Sequence, residues 1–382
     1  MTDGPYELPP GWRWVRLGEV FEIQQGASMS PKRRVGRNPR PFLRTRNVLW
    51  GTVDLSSVDK MDFTDEEVEK LRLQPGDLLV CEGGDVGRTA LWEGQLPLAL
   101  YQNHIHRLRA KDTPVEPRFF MYWMQAAYQV FLAYQGAESR TAIPNLSGRR
   151  LKQFLAPFPP LSEQRRIVAR IEELMARVRE AQRLRQEARE DADRLWQATL
   201  AEMFPKPGAE LPPGWRWVRL GEVTAVRYGK ANPKKSGAVP IIGSGGKYAT
   251  TAEPLITFPS VIIGRKGSAG EPFLALEPCW PSDTTFYLEW LTEIEPAWVF
   301  FWLSLNKISS EGASATLPSV RREDVEVHLI PLPPLAEQRR IVAHLEAVRE
   351  RVQALKKAQE DTEAHLKELE RSILDRAFRG EL

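Results

Sequence analysis

The sequence contains little cysteine, little histidine and no long hydrophobic run. Of 382 residues, two are cysteine (Cys81 and Cys279) and five are histidine. Two cysteines without CxxC spacing exclude a disulfide framework and are typical of a reducing compartment. The longest apolar run, AWVFFWLSL from Ala297, has nine residues and is too short to span a bilayer. Because no charged-then-apolar leader opens the chain, we expect a cytoplasmic protein.

Familiar catalytic motifs are also lacking. The sequence contains no HExxH, no GxSxG, no convincing dinucleotide fingerprint and no Asn-Pro-Pro-aromatic motif of base-modifying methyltransferases. His104 and His106 alternate, so we expect both on one face of an ordinary strand rather than in a metal site. GSGGKY from Gly243 lacks the first glycine and the final Ser or Thr of a P-loop, which favours a glycine turn between strands. We therefore predict no catalytic residue and no metal site.

The sequence contains an internal repeat with two copies. LPPGWRWVRLGEV stands unchanged at 8–20 and 211–223. PPLSEQRRIVARIE from Pro159 matches PPLAEQRRIVAHLE from Pro333 at all but three positions. Internal repetition at this scale predicts two globular regions with the same fold.

Each globular region is expected to mix strands and helices. WRWVRLGEV alternates as a strand does, with its tryptophans turned into a core rather than toward bases. The glycine-bounded stretches GDLLVCEG and SVIIGRKG predict further strands. Pro117 and Pro296 are each expected to open an aromatic helix, because proline is well tolerated at the first helical position.

A long charged segment follows each globular region, from Pro159 to Phe204 and from Pro333 to Phe378. Apolar residues recur there at alternating steps of four and three, which is the spacing of a heptad seam. Each segment is expected to form one helix of about 65 Å, at 1.5 Å per residue. Because an apolar stripe needs a partner, we expect antiparallel pairing in an intramolecular coiled coil; solvated linkers or an oligomerising coiled coil are the alternatives. The seam positions are Ile167, Ile171, Leu174, Val178, Ala181, Arg185, Ala188, Ala192, Leu195 and Thr199, then Ile341, Leu345, Val348, Val352, Leu355, Gln359, Thr362, Leu366, Leu369 and Ile373.

The predicted fold class is α+β, with two homologous mixed α/β domains, two long antiparallel helices and pseudo-twofold symmetry. We place the globular domains at 1–158 and 205–332. The helices take 159–204 and 333–382.

The net charge is only +3, yet the cations are concentrated. PKRRVGRNPRPFLRTR, residues 31–46, carries seven Lys or Arg and no acid. Its glycine and prolines predict a loop, and arginine clusters suit phosphates and guanine edges, although a merely solvated loop is the alternative. The second region places lysines among glycines in RYGKANPKKSG, IIGSGGKY and VIIGRKGSAG, where backbone amides could approach a phosphate.

Several of these motifs together resemble the specificity subunit of type I restriction-modification systems. They are PxGWxxxxLGEV, the closing TAIPNL and ATLPSV, the duplicated PPLxEQRRIVA and the C-terminal AFRGEL, and the resemblance spans essentially the whole chain. It implies two target recognition domains, each reading one half of an asymmetric double-stranded DNA target, on helices that fix an unread spacer. A self-sufficient nucleic-acid enzyme and a coiled-coil scaffold without DNA affinity are the weaker alternatives.

The resemblance also implies that catalysis belongs to partners. Two modification subunits would methylate adenine with S-adenosylmethionine, and restriction subunits would translocate and cut DNA with ATP and Mg²⁺. The chain itself would bind no cofactor. A related system, in which one partner polypeptide both methylates and cleaves, is a narrower alternative.

Charge pattern and resemblance together predict the DNA contacts. In the first region they are Lys32, Arg33, Arg34, Arg37, Arg40, Arg44, Arg46, Gly84, Arg88, Gln102 and Asn103. In the second region they are Lys230, Lys234, Lys235, Ser244, Lys247, Arg265, Lys266, Asp283 and Thr284.

Overall fold

A computed structural model describes residues 4, 6–33, 36–132, 146–233, 235–309 and 319–382, with Lys32 described by its backbone alone. The chain divides into two compact units: unit 1 comprises 1–184 with 361–382, and unit 2 comprises 185–360. Each unit holds one globular region and part of both long helices. No helix within the described ranges is both long and apolar enough to cross a membrane.

Apart from the helix Asp65–Leu71, which has no counterpart among the described residues of unit 2, the elements follow one another in the same order in both units. Unit 1 contains β1 Arg13–Arg16, α1 Leu17–Val20, β2 Phe21–Gln25, β3 Pro39–Leu43, β4 Asp59–Asp62, α2 Asp65–Leu71, β5 Leu78–Cys81, β6 Thr89–Leu91, β7 Leu100–Tyr101, β8 Ile105–Ala110, α3 Pro117–Gln129, α4 Gly148–Gln153, β9 Leu155–Phe158 and the start of α5 Leu161–Met203. Unit 2 contains the end of α5, then β10 Arg216–Arg219, α6 Leu220–Val223, β11 Thr224–Tyr228, β12 Val239–Gly243, β13 Gly246–Thr251, β14 Ser260–Gly264, β15 Pro272–Ala275, β16 Trp280–Pro281, β17 Thr285–Trp290, α7 Pro296–Leu305, α8 Arg322–Val327, β18 Leu329–Leu332 and the start of α9 Leu335–Phe378.

The sheets of the two units have the same strand order. Unit 1 has a main sheet ordered β2-β8-β5-β6 and a smaller one ordered β4-β3-β7. Unit 2 repeats them as β11-β17-β14-β15 and β13-β12-β16. In both smaller sheets the short last strand pairs in parallel. The duplicated α+β fold predicted from the repeat is therefore confirmed.

The repeated WRWVRLGEV segment is a strand only in its first half. It continues as one helical turn, α1 or α6, in which the leucine and the valine are both buried. The expectation of a strand throughout was wrong, because a helical turn places residues three apart on one face. Trp12 packs edge-on against Phe119, and the ring centroids of Trp14 and Trp123 lie 5.6 Å apart. The tryptophans therefore do pack against the core.

The two predicted aromatic helices are present, and each contributes to the core of its unit. α3 and α7 begin at Pro117 and Pro296. The indole Nε1 of Trp123 donates to the Leu155 carbonyl at 3.0 Å, and Trp302 repeats this bond to Leu329 at 3.0 Å. A buried indole N–H needs such a partner, so each aromatic helix is fixed against the edge strand that precedes a long helix.

The long helices pair antiparallel in both units. In unit 1, Arg166 donates to the Leu382 carbonyl and Gln182 donates to Glu370. In unit 2, Arg189 lies 4.0 Å from Glu360, and Asp193 pairs with Lys356. Partner numbers fall as residue numbers rise, which confirms the predicted direction.

The heptad seam was wrong at three of its leucines. Leu195, Leu355 and Leu369 are 57%, 45% and 47% exposed. Near its end, α5 turns Trp196 toward Phe301, and Phe204, which directly follows the helix, packs against Trp298 in the core of unit 2. Since a helix has 3.6 residues per turn rather than 3.5, the apolar face drifts from a strict heptad as it moves onto the globular core.

The glutamine of the PPLxEQ motif is a buried clamp. Gln164 is fully buried, accepts from the Glu116 amide at 2.9 Å and donates to the Pro159 carbonyl at 2.9 Å. Gln338 makes the same bonds to Glu295 and Pro333 at 3.0 and 2.9 Å. The motif therefore joins the start of each long helix to the start of the aromatic helix.

Candidate nucleic-acid interface

Four loops meet at one edge of unit 2: residues 228–232, 243–247, 264–268 and 281–284. We call them the unit 2 loop cluster. The Lys230 amide donates to Pro281 at 3.0 Å, and the Arg265 amide donates to Thr284 at 2.8 Å. Ser244 also donates its amide to the Thr284 hydroxyl at 3.4 Å. These bonds, two of which join backbone groups alone, hold the loops together.

Glycines allow this close approach of backbones. A Cβ on Gly264 would lie 2.2 Å from the Ser268 carbonyl oxygen, and one on Gly229 would lie 2.0 Å from that of Ser282. Gly246 has a φ of +100° and closes the hairpin between β12 and β13. The GSGGKY segment is thus a glycine turn between strands, as predicted, and it has no P-loop geometry.

The unit 2 loop cluster brings together most of the contacts predicted for the second region. Exposed Lys230, Lys266 and Asp283 lie beside the half-buried Ser244, Arg265 and Thr284. Lys247 is exposed on β13. Lys235 instead forms an exposed ion pair with Glu253 at 2.8 Å, and Lys234 lies outside the described residues.

The equivalent unit 1 loop cluster is formed by residues 25–29, 43–47, 82–88 and 101–104. The Asn103 amide donates to Ala27 at 2.9 Å, the Gln102 amide to Leu43 at 2.9 Å and the Glu82 amide to His104 at 2.8 Å. Predicted Gly84, Arg88, Gln102 and Asn103 therefore come together. The Gln102 side chain is 3% exposed, so contact with DNA through that side chain would require a loop to move.

The basic segment 31–46 is not a single loop. It forms a short 3-10 helix at Pro31–Arg33, the strand β3 and a second 3-10 turn at Thr45–Asn47. The proline and glycine content predicted a loop and did not indicate these elements, because each of them is only three to five residues long. Arg37 is exposed and Arg40 is half-buried on β3; Arg34 and the Lys32 side chain lie outside the described residues.

Acidic partners within unit 1 neutralise much of this segment. Arg33 makes a two-pronged ion pair with Glu67, which raises the pKa of the guanidinium and lowers that of the carboxyl. Arg44 and Arg46 share Asp59 at 3.0 and 2.7 Å. Arg88 pairs with Asp85 at 2.9 Å and donates to the Thr45 carbonyl. The sequence could not reveal these pairs, since several partners lie 13 to 34 positions away.

A polar network that the sequence did not predict lies beneath the unit 1 loop cluster. Gln25 donates to Glu82 at 2.9 Å, and the His106 Nε2 lies 3.5 Å from the same carboxylate. His106 is 1% exposed, and burial lowers its pKa against the attraction of Glu82. The expectation that His104 shares its strand face was wrong, because His104 belongs to the exposed turn before β8.

Comparison with known proteins identifies the family. A model of the "Type I restriction modification DNA specificity domain" matches residues 9–188 and 212–364. The chain belongs to this family. The chain is similar to the specificity subunit of the Escherichia coli type I restriction enzyme EcoBI, with 22% identity over all of this chain and 88% of the relative.

Solved structures agree with this assignment. The HsdS subunit from Thermoanaerobacter tengcongensis is 32% identical, with a TM-score of 0.65 and full coverage of both chains. A chain from a study of complex assembly and conformational transition of the type I R-M system is 32% identical, with a TM-score of 0.81 over 99% of this chain and 100% of that one. The protein is therefore a type I specificity subunit, the non-catalytic member of its system.

Proposed function

We propose that this specificity subunit reads an asymmetric two-part DNA target, one half with each loop cluster, and leaves a spacer of fixed length unread. The supporting observation is a shared framework with unlike side chains. Glu82 and Arg265 occupy the same place, each donating its amide to the turn before the equivalent strand. One is a buried acid and the other a half-buried base, so the two clusters present different chemistry at this place, which favours unlike half-sites.

The predicted DNA contacts in both clusters remain part of this proposal. Glycine-lined loops with Lys230 and Lys266 suit backbone phosphates, while side chains at the loop edges suit base edges. Because Arg33, Arg44, Arg46 and Arg88 are paired internally, the chain alone should bind DNA weakly. Affinity should rise when two modification subunits dock against the long helices.

Chemistry in this proposal belongs to the partners. Modification subunits supply adenine methylation with S-adenosylmethionine, and restriction subunits supply ATP-driven translocation and cleavage with Mg²⁺. The division of the chain into recognition domains at 1–158 and 205–332, with helices at 159–204 and 333–382, is part of the same proposal. A specificity subunit whose single partner polypeptide both methylates and cleaves would use the same two loop clusters.

Lengthening both long helices tests the spacer. Seven residues inserted in each at equivalent central positions add about 10 Å, which corresponds to about three base pairs at 3.4 Å each. The complex with modification subunits should then methylate the same half-sites with a longer spacer. An unchanged spacer in a folded, active variant would refute the role of the helices as a ruler, and loss of both half-sites would refute the independence of the two clusters.

A further inference from the structure

Three equivalent positions carry opposite chemistry in the two loop clusters. In unit 1 they hold Gln25, Glu82 and His106, and in unit 2 they hold Tyr228, Arg265 and Phe286. Gln25 faces His106 across its strand pair just as Tyr228 faces Phe286. The backbone amides of Glu82 and Arg265 make equivalent bonds of 2.8 Å. The backbone is thus the same in both units, but the side chains differ. Unit 1 has an acid in a polar network, and unit 2 has a cation over an aromatic ring.

Arg265 is held in place without being neutralised. Its guanidinium carbon lies 5.4 Å from the Tyr228 ring centroid, and that ring packs 5.0 Å from the buried Phe286. Its amide and its carbonyl are both fixed, to Thr284 and to Val320. Among the described residues, no carboxylate lies within ion-pair distance of Arg265, unlike Arg33, Arg44, Arg46 and Arg88.

An unneutralised guanidinium held over an aromatic ring suits a ligand with two adjacent acceptors. Its planar fork matches the O6 and N7 acceptors of guanine in the major groove, and the contact with the Tyr228 ring restricts the guanidinium before binding. Tyr228 is 50% exposed, so the stack lies at the surface of the cluster. Glu82 at the equivalent place is 6% exposed and bonded to Gln25, so unit 1 offers no such fork at this position.

We propose that Arg265 is a specificity-determining residue that reads a guanine in the half-site of unit 2, with Tyr228 as its positioning residue. The inference rests on the proposed function and deepens it. The competing explanation is that Arg265 binds a phosphate. The two explanations make different predictions for the substitution Arg265→Lys. A lysine preserves the charge for a phosphate but loses the planar fork and the stack.

The test uses the purified complex of this chain with its modification subunits. Methylated sites are mapped first for the wild type and then for Arg265→Ala, Arg265→Lys and Tyr228→Leu. Arg265→Ala and Arg265→Lys should both lose about 5- to 150-fold discrimination at a single guanine in one half-site, with the other half-site unchanged. Tyr228→Leu should relax the same position to a smaller extent. Lys266→Ala, one residue away and exposed, is the matched control and should weaken binding to all sequences equally.

The outcomes separate the two proposals. A wild-type complex without a two-part target refutes the proposed function and this inference with it. A wild-type two-part target that Arg265→Ala leaves unchanged at every position, in a folded complex, refutes the inference alone. Uniform weakening with Arg265→Ala, restored by Arg265→Lys and accompanied by a smaller salt slope, would assign Arg265 to a phosphate and also refute it.

Discussion

Replacing Gln164 by leucine tests why the PPLxEQ motif occurs twice. The substitution preserves the approximate size of the side chain but removes a donor and an acceptor. It leaves the Pro159 carbonyl and the Glu116 amide without the partners they have at 2.9 Å. An orphaned buried group costs about 1–3 kcal/mol, and Glu116 is only partly buried, so we expect about 2–4 kcal/mol. The same change at Gln338 should destabilise unit 2.

Thermal unfolding measures this loss. At about 2–4 °C per kcal/mol for a unit of this size, the midpoint of the affected unit should fall by about 5–15 °C. Gln153→Leu is the matched control, because Gln153 is exposed on α4 of the same unit and surface changes usually stay within about 0.5 kcal/mol. If Gln164→Leu unfolds at the temperature of the control, the clamp does not hold the helix. The motif would then need another explanation, such as contact with a partner.

Further predictions concern the buried histidine, the aromatic core and the basic segment. Burial lowers the pKa of His106, so the folded state binds fewer protons than the unfolded state below about pH 6.5. The contribution of neutral His106 to stability is therefore complete above that pH and declines as the pH falls toward the lowered pKa of the folded state. His106→Phe should reduce the fall in the denaturation midpoint between pH 7.5 and 5. Parallel plots of midpoint against pH for the variant and the wild type would contradict this. Trp302→Ala should cost about 3–5 kcal/mol in chemical denaturation, since the ring is 1% exposed and its indole bonds to Leu329; a loss below 1 kcal/mol would show that the core tolerates the cavity. Arg37→Ala, which removes an exposed cation of the basic segment, should weaken binding of the complex to every DNA sequence and reduce its salt slope, whereas lost discrimination at individual base pairs would indicate base reading instead.

Much of the fold follows from repeated sequence. The identical tryptophan segments and PPLxEQ motifs predicted one fold twice, because equal sequences have equal local preferences. Pro117 and Pro296 marked the aromatic helices, since proline fits a first helical turn. The apolar spacing predicted the two long helices, and the proline pair before each one indicated where it begins, at Leu161 and at Leu335.

The loop clusters were harder to predict, because they depend on contacts between distant residues. Arg33 appears in the sequence as one of seven free cations, yet Glu67 neutralises it from 34 positions away. Gln25, Glu82 and His106 stand far apart in the chain and meet only when β2, β5 and β8 pair. Strand pairing determines which residues become neighbours, and the periodicity within one segment does not predict which strands pair. The motifs TAIPNL and ATLPSV lie mostly outside the described residues.

Mapping of methylated adenines tests the central claim most directly. The chain would be produced with its modification subunits in a host free of other adenine methyltransferases, and every modified site would be aligned. We predict one asymmetric target with two unlike half-sites and a spacer of constant length. A continuous or palindromic target, or half-sites separated by variable distances, would contradict the account.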